Sequence, residues 1–377
     1  MIKLAIIGAS YLQLPLIKKA KEMGIETHVF AWKVGDVGEI EADFFYPISI
    51  VEKDKILEKC RKIKIDGICS IASDLAVITV NYVANKLGVN GNSEECTRIS
   101  TNKYLMRRAF ENNGDPSPKS ILVTSVKDLD GKVLKYPVIV KPIDRSGSRG
   151  ITKLESKNKL CEAIESAKAQ GFEKKALVEE FVDGDEYSVE YISYHGKHYF
   201  LSITKKYTTG APNFIERGHI EPAPVSKELS KKIKKVVTHA LDTLMIKNSA
   251  SHTELKIKKN GDIKLIEIGG RMGGDFIGSD LVPLSTGVDF VKAVIQVALD
   301  YKPDIVLNDQ SKAAGVRFIL GEKDIEILEE VQREHSDYIV NKEIHECKGQ
   351  IKDSSDRYGV FLIKANNFAD IEKYISD

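Results

Sequence analysis

Two acids are brought face to face by one turn signal. Between Ser251 and Met272 the chain passes through Asn260-Gly261 and ends in Gly269-Gly270-Arg271. Asn-Gly is a strong two-residue hairpin signal, because a type I′ turn needs positive φ at both central positions. With that loop Lys259 pairs with Asp262, Ile257 with Lys264, and Glu254 with Glu267. Side chains alternate along a strand, so both carboxylates share a face. Directly opposed residues have Cβ atoms roughly 4.5–5.5 Å apart, and like charges there repel. A cation between them removes that penalty. Two hard carboxylates without a thiolate suit Mg²⁺ or Mn²⁺. A solvated hairpin with two unrelated acids is the alternative at this point.

The chain of 377 residues has room for two or three domains. The run Ile2 to Ile7 stops at Gly8, a helical pattern follows to Met23-Gly24, and a second strand covers Glu26 to Ala31. Helix and strand alternate again through Leu87, so residues 1–98 read as a Rossmann-like parallel-sheet domain. A dinucleotide site is not expected there. Ser10 and Gln13 stand where G-x-G-x-x-G needs glycines, and no acid ends the second strand at Phe30-Ala31-Trp32. Gly8 is instead expected to let a helix N-terminus approach a substrate carboxylate or phosphate.

A net charge of +1 gives no footprint for nucleic acid or a membrane, and neither is expected as a partner. Five dispersed cysteines form no C-x-x-C pair. With no signal peptide and no long apolar run, a reducing, cytoplasmic setting is expected.

After a helix expected over Thr101 to Asn112, an apolar strand ends at Lys141, and Asp144-Arg-Ser-Gly-Ser-Arg-Gly150 follows. A lysine at a strand end supplies a point charge, and a Gly/Ser loop supplies backbone N–H donors for phosphates. Glycines at 147 and 150 let such a loop close as a lid. Leu177-Val-Glu-Glu-Phe-Val182 then breaks at Asp183-Gly184-Asp185 before a strand begins at Glu186. A hinge of this kind can offer backbone groups to adenine and a carboxylate to ribose.

In order, these pieces are Asn102-Lys103, Lys141, a Gly/Ser loop, the E-E-F-V hinge, and a carboxylate pair followed by arginine. That order and spacing resemble the ATP-grasp superfamily over nearly the whole chain. Lys205 to His219 and Gly274 to Pro283 look like the branch that holds L-amino acid ligases, biotin carboxylase and the ATP-binding halves of carbamoyl-phosphate synthase. The resemblance implies an α/β and α+β chain, an ATP-grasp fold preceded by the Rossmann-like domain. Its parts would be 1–98, a helical linker over 99–119, a small lid subdomain over 120–185, and a large subdomain with a C-terminal module over 186–377.

The same resemblance implies roles. Lys103 and Lys141 would bind ATP phosphates, with Ser146, Gly147, Ser148 and Gly150 in the lid. Glu179, Glu180 and Val182 would flank adenine, and Glu186 the ribose. Glu254 and Glu267 would carry Mg²⁺ (or Mn²⁺), and Arg271 and Lys141 would serve the transferring group. Lys205, Glu216, His219 and Ser279 would line the acyl site. The implied reaction is ATP-dependent ligation of a small carboxylate to an amine or related nucleophile, through an acyl phosphate. A bicarbonate-using enzyme and an ATP-binding protein with weak or no catalysis are the alternatives. The fold is commonly dimeric, so a homodimer fits the resemblance. One departure stands out: the family reads Glu-x-Asn-x-Arg, and Gly269 holds the Asn place, opposite His252 in the expected register.

Overall fold

The computed structural model describes all residues except 146, 148, 212, 213, 308–311, 347, 348, 350, 352 and 377. Three sheets organise them. The first is parallel, in the order β3 (Phe44–Tyr46), β2 (Glu26–Phe30), β1 (Lys3–Ile7), β4 (Gly67–Cys69). Leu4 to Ile7 of β1 are buried on both faces, as a helix-covered parallel strand requires. In the loop after β1, Gln13 Oε1 accepts from the N–H and Oγ of Ser10, and Gln13 Nε2 donates to the Ile71 carbonyl at 2.8 Å. A Cβ on Gly8 would stand 2.8 Å from Gln13 Oε1. Gly8 thus makes room for a buried glutamine.

The second sheet is antiparallel: β5 (Ser120–Val123), β8 (Ala176–Glu180), β6 (Val138–Pro142), β7 (Thr152–Leu154). Helix Leu160–Gln170 packs its Leu160, Ile164 and Ala167 onto it. The third has eight antiparallel strands: β13 (Ile263–Gly269), β12 (Ser249–Ile257), β9 (Asp185–Tyr194), β10 (Lys197–Thr208), β11 (Glu216–Glu221), β14 (Ala313–Ile319), β16 (Gly359–Ala365), β15 (Ile339–Ile344). Helix Phe290–Ala298 is buried on nearly every side. One core cluster joins it to Leu4 and Ile6 of β1 and to Ile192 and Leu201 of the large sheet. Parallel and antiparallel parts therefore share a core rather than a linker.

The helix expected over Thr101 to Asn112 runs Lys103–Asn113, two residues later at its start, and a separate helix, Glu94–Thr101, precedes it. Asn102 breaks them, its Oδ1 accepting from the N–H groups of Tyr104 and Leu105 at 3.1 Å each. A capping side chain inside a helical pattern stops one helix and starts the next. That restart puts Lys103 in a first turn, its backbone N–H on the Ile143 carbonyl at 2.8 Å.

The hairpin turn also differs. Lys258 N–H donates to the Asp262 carbonyl at 2.9 Å, Gly261 N–H donates to the Lys258 carbonyl at 2.8 Å, and Gly261 alone has positive φ, +81°. This is a three-residue loop with glycine at the left-handed position, so Ile257 meets Ile263 and Lys256 meets Lys264. A bulge between Glu254 and Leu255 then absorbs Ile266 and shifts the pairing by one, and Glu254 meets Glu267 after all. The carboxylate pair owes its register to the bulge, not to the turn.

Buried Glu221, at the end of β11, accepts from Thr204 Oγ1 at 2.8 Å and Ser285 Oγ at 2.7 Å. Burial pushes its carboxyl up to about 7. The fold favours the neutral form, so this contribution to stability is full below about pH 4 and is lost as pH rises through about 7. The difference is about 3 kcal/mol. Glu221→Gln is expected to flatten the fall in urea midpoint between pH 5 and pH 7.5. An unchanged slope would remove Glu221 as its source.

Candidate functional site

A cavity of about 180 Å³ opens where the second sheet faces the large one. Its floor is the hairpin, with Glu254, Ile266, Glu267, Gly269 and Arg271, and its roof is β6 and the hinge after β8. Lys103, Lys141, Gly147, Glu179, Glu180, Val182, Glu186 and Glu216 border the same space. Gly150 sits just outside, packed at 3.1 Å from Gln170 and 3.4 Å from Pro142 when a Cβ is placed on it, with φ +72°. Ser146 and Ser148 lie outside the described residues.

The charges pair across the space. Lys103 at the helix restart bonds Glu267, and Lys206 Nζ bonds Glu254 at 2.6 Å and Glu186 at 3.2 Å. Burial works against a charge on Lys206, but Glu254, Glu186 and Glu216 around it hold its pKa well above the ordinary lysine value. Burial likewise opposes the Glu254 charge, and Lys206 and His252 outweigh it and hold that carboxyl well below the usual range. Lys141 at the end of β6 bonds buried Glu179, which also takes Arg107 Nε at 3.1 Å. Burial lowers the Lys141 pKa although Glu179 counters it. The lysines that face the cavity are thus each paired with a carboxylate.

Arg107 was not singled out from sequence. Its Nη2 donates to the carbonyl of Ile266, the bulge residue, at 2.6 Å. One guanidinium therefore clamps helix Lys103–Asn113, β8 and the bulge that sets the carboxylate pair. Lys206 was missed by one position. Lys205 faces the other side of β10, bonding Asp185 at 2.7 Å and lying over the Tyr187 ring. Pairing Lys206 with Glu186 across β9 and β10 would have found it, since facing residues share a side.

The other acyl-site expectations separate. Glu216 reaches the cavity, with Arg357 Nη2 at 3.1 Å and Ser354 Oγ at 2.9 Å. Arg357 also makes two 3.0 Å bonds to Asp275 and stacks 3.5 Å over Phe318. Ser279 borders a small neighbouring hollow and donates to Asp280 at 2.5 Å. His219 is not in the cavity: it is wholly buried against Phe318, and burial drives its pKa down to about 3, so it is neutral at ordinary pH.

His252 does face the cavity, but as a cation. Its Nδ1 lies 2.5 Å from Glu190 Oε1 and its Nε2 3.5 Å from Glu254 Oε1. Burial opposes that charge, and Glu190 with Glu254 lifts the pKa to about 9. Both ring nitrogens are therefore turned to carboxylates, and the opposed acids that could hold a divalent ion are Glu254 and Glu267. No cluster of three or more acid, His or Cys ligands exists among the described residues. Two carboxylates fit Mg²⁺ bound with phosphate oxygens and water, the usual arrangement beside a nucleotide, and not an all-protein cage.

Residues 134–280 match the ATP-grasp domain family. Among curated proteins, the chain is 28% identical over 294 residues to the alanine–anticapsin ligase of Bacillus subtilis. That alignment covers 68% of this chain and 61% of the relative, so the chain spans about three-fifths of that protein's length. Among solved structures, the L-amino acid ligase of Bacillus licheniformis superposes with a TM-score of 0.86 at 24% identity, covering 100% of this chain and 96% of that one. A biotin carboxylase from Campylobacter jejuni superposes with a TM-score of 0.75 at 16% identity, covering 98% and 89%. At these identities the structural likenesses establish the fold.

Proposed function

We propose that this chain, which carries an ATP-grasp domain, is an ATP-dependent ligase that joins a small carboxylate to an amine and releases ADP and phosphate. One observation carries the reading: a single cavity gathers Lys103, Lys141 and Lys206, the hinge after β8, the opposed Glu254 and Glu267, and Arg271. The relative named an alanine–anticapsin ligase supports an amine as the nucleophile.

The substrate carboxylate oxygen attacks the γ-phosphorus and ADP leaves. The amine then attacks the carbonyl carbon of the acyl phosphate, the C–O bond to phosphate breaks, and the amine loses a proton. Such transfer needs alignment and neutralised charge more than covalent help. Lys103 and Lys141 turn from their carboxylates to the phosphates. Glu180 and Val182 offer backbone groups to adenine, and Glu186 faces the ribose. Arg271 holds the transferring group. Glu254 and Glu267 would hold Mg²⁺ or Mn²⁺, which supplies neutralisation of phosphate charge during transfer. Glu216, with Arg357 and Asp275 behind it, forms a charged wall for the acyl partner.

The test is ADP and phosphate release across carboxylic acids and amino acids, offered singly and in pairs. The expected result is ADP formation that needs a paired acid and amine, with a condensed product of matching mass. Release that needs bicarbonate and no amino acid would favour a carboxylase. ATP binding without release on the full panel would overturn a ligase.

A further inference from the structure

Gly269 faces the cavity without a side chain, and the space above it is not vacant. A Cβ placed on Gly269 would stand 2.6 Å from Asp74 Oδ1, and 3.2 Å from Arg271 Nε. Asp74 belongs to the parallel-sheet domain, as the first residue of helix Asp74–Leu87. Its carboxylate takes Arg271 in a two-bond pair, Nε to Oδ1 and Nη2 to Oδ2, both at 2.9 Å. Paired bonds of this kind set the plane of a guanidinium as well as its position.

The approach of Asp74 is built rather than incidental. Ser70 Oγ donates to the Ile7 carbonyl at 2.6 Å, and Ala72 N–H donates to the carbonyl of Met272, next to Arg271, at 3.2 Å. Ala72 adopts φ +58° to do so, a conformation that costs a non-glycine residue free energy. Ser73 caps the helix by accepting from Ala76 N–H. Burial would raise the Asp74 pKa, and the Arg271 guanidinium holds it down. Asp74 also stands on the wall between the nucleotide cavity and a second cleft of about 510 Å³, which Arg98 and Thr101 border from the other side.

We propose that Asp74 is a positioning residue: the parallel-sheet domain supplies, through the gap left by Gly269, the carboxylate that orients Arg271 toward the reacting phosphoryl group. Transfer then depends on how that domain is seated. The packing half of this inference stands on geometry alone, and the kinetic half rests on the ligase reading.

The experiment compares the full chain with Gly269→Ala, Asp74→Ala, their combination, and Asp74→Asn, which keeps the shape without the charge. Without nucleotide, Gly269→Ala is expected to lower the thermal midpoint by several degrees, roughly 3 °C or more. In the Asp74→Ala background the same change is expected to cost under about 1 °C, because the clash is gone. Equal losses in both backgrounds would overturn the packing half. For ADP release, Asp74→Asn is expected to lower kcat about 10-fold or more while the KM for ATP stays within about 3-fold. An unchanged kcat would overturn the positioning role. If the unaltered chain releases no ADP with any substrate, the ligase reading fails separately. Labelling of Arg271 by phenylglyoxal, mapped by peptide mass, then decides: faster labelling in Asp74→Asn supports the pairing and equal labelling overturns it.

Discussion

Glu267→Gln is expected to cut ATP turnover by roughly 10²–10³-fold or more while leaving the thermal midpoint nearly unchanged. The two effects separate because of where Glu267 stands. It opposes Glu254 across the hairpin, so losing its charge relieves a repulsion. The amide still accepts from Lys103, its partner in the structure. What would be lost is half of the hard donor set proposed for a divalent ion beside phosphate oxygens. Glu254→Gln should be as inactive but less stable, because buried Lys206 would lose the charge of its nearest carboxylate and keep Glu186 at 3.2 Å and the Glu216 charge beyond it. Steady-state ADP release with saturating Mg²⁺, set beside thermal melts, checks both. Undiminished turnover in Glu267→Gln would falsify the metal assignment.

That pair was legible in the sequence, but for an incomplete reason. Asn260-Gly261 marked the hairpin correctly, and the two carboxylates met as expected although the pairs nearer the turn did not. Yet the turn is one residue longer than its signal, and the bulge at Ile266 restored the pairing. A bulge leaves little trace in a strand of alternating residues, since it is set by what its free carbonyl meets, here Arg107 from another element. Lys141, the hinge and Glu186 were legible because local chemistry at strand ends announces them. Lys205 was chosen over Lys206 because two adjacent lysines differ only in which face of β10 they occupy. Asp74 had no local signal. Its role comes from the absence of a side chain at Gly269, 195 positions away in the chain, and only packing brings the two together.

Arg107→Met should be the most destabilising single change near the cavity. The guanidinium is buried between Glu179, itself buried, and the Ile266 carbonyl. Methionine fills much of the volume but leaves the carbonyl without its donor and Glu179 with Lys141 as its remaining cation. Breaking a buried ion pair from one side costs about 3–5 kcal/mol, because the other charge stays buried. For a chain of this size that corresponds to a fall on the order of 10 °C in thermal midpoint. Burial raises the carboxyl pKa of Glu179, and Arg107 and Lys141 now hold it below the usual range. Without Arg107 that pKa rises, and the part of stability it carried is lost at a higher pH than before, as acid reaches the carboxylate sooner. Adding Glu179→Gln to Arg107→Met should therefore recover part of the lost stability, whereas two independent sites would add their costs. The same change reaches the nucleotide. With Arg107 gone, Lys141 is the sole strong partner of Glu179 and is held back from phosphate, so ATP should bind about 10-fold more weakly to Arg107→Met. Restored ATP affinity in the double variant would trace the effect to Glu179, and an additive loss in both stability and affinity would refute the clamp.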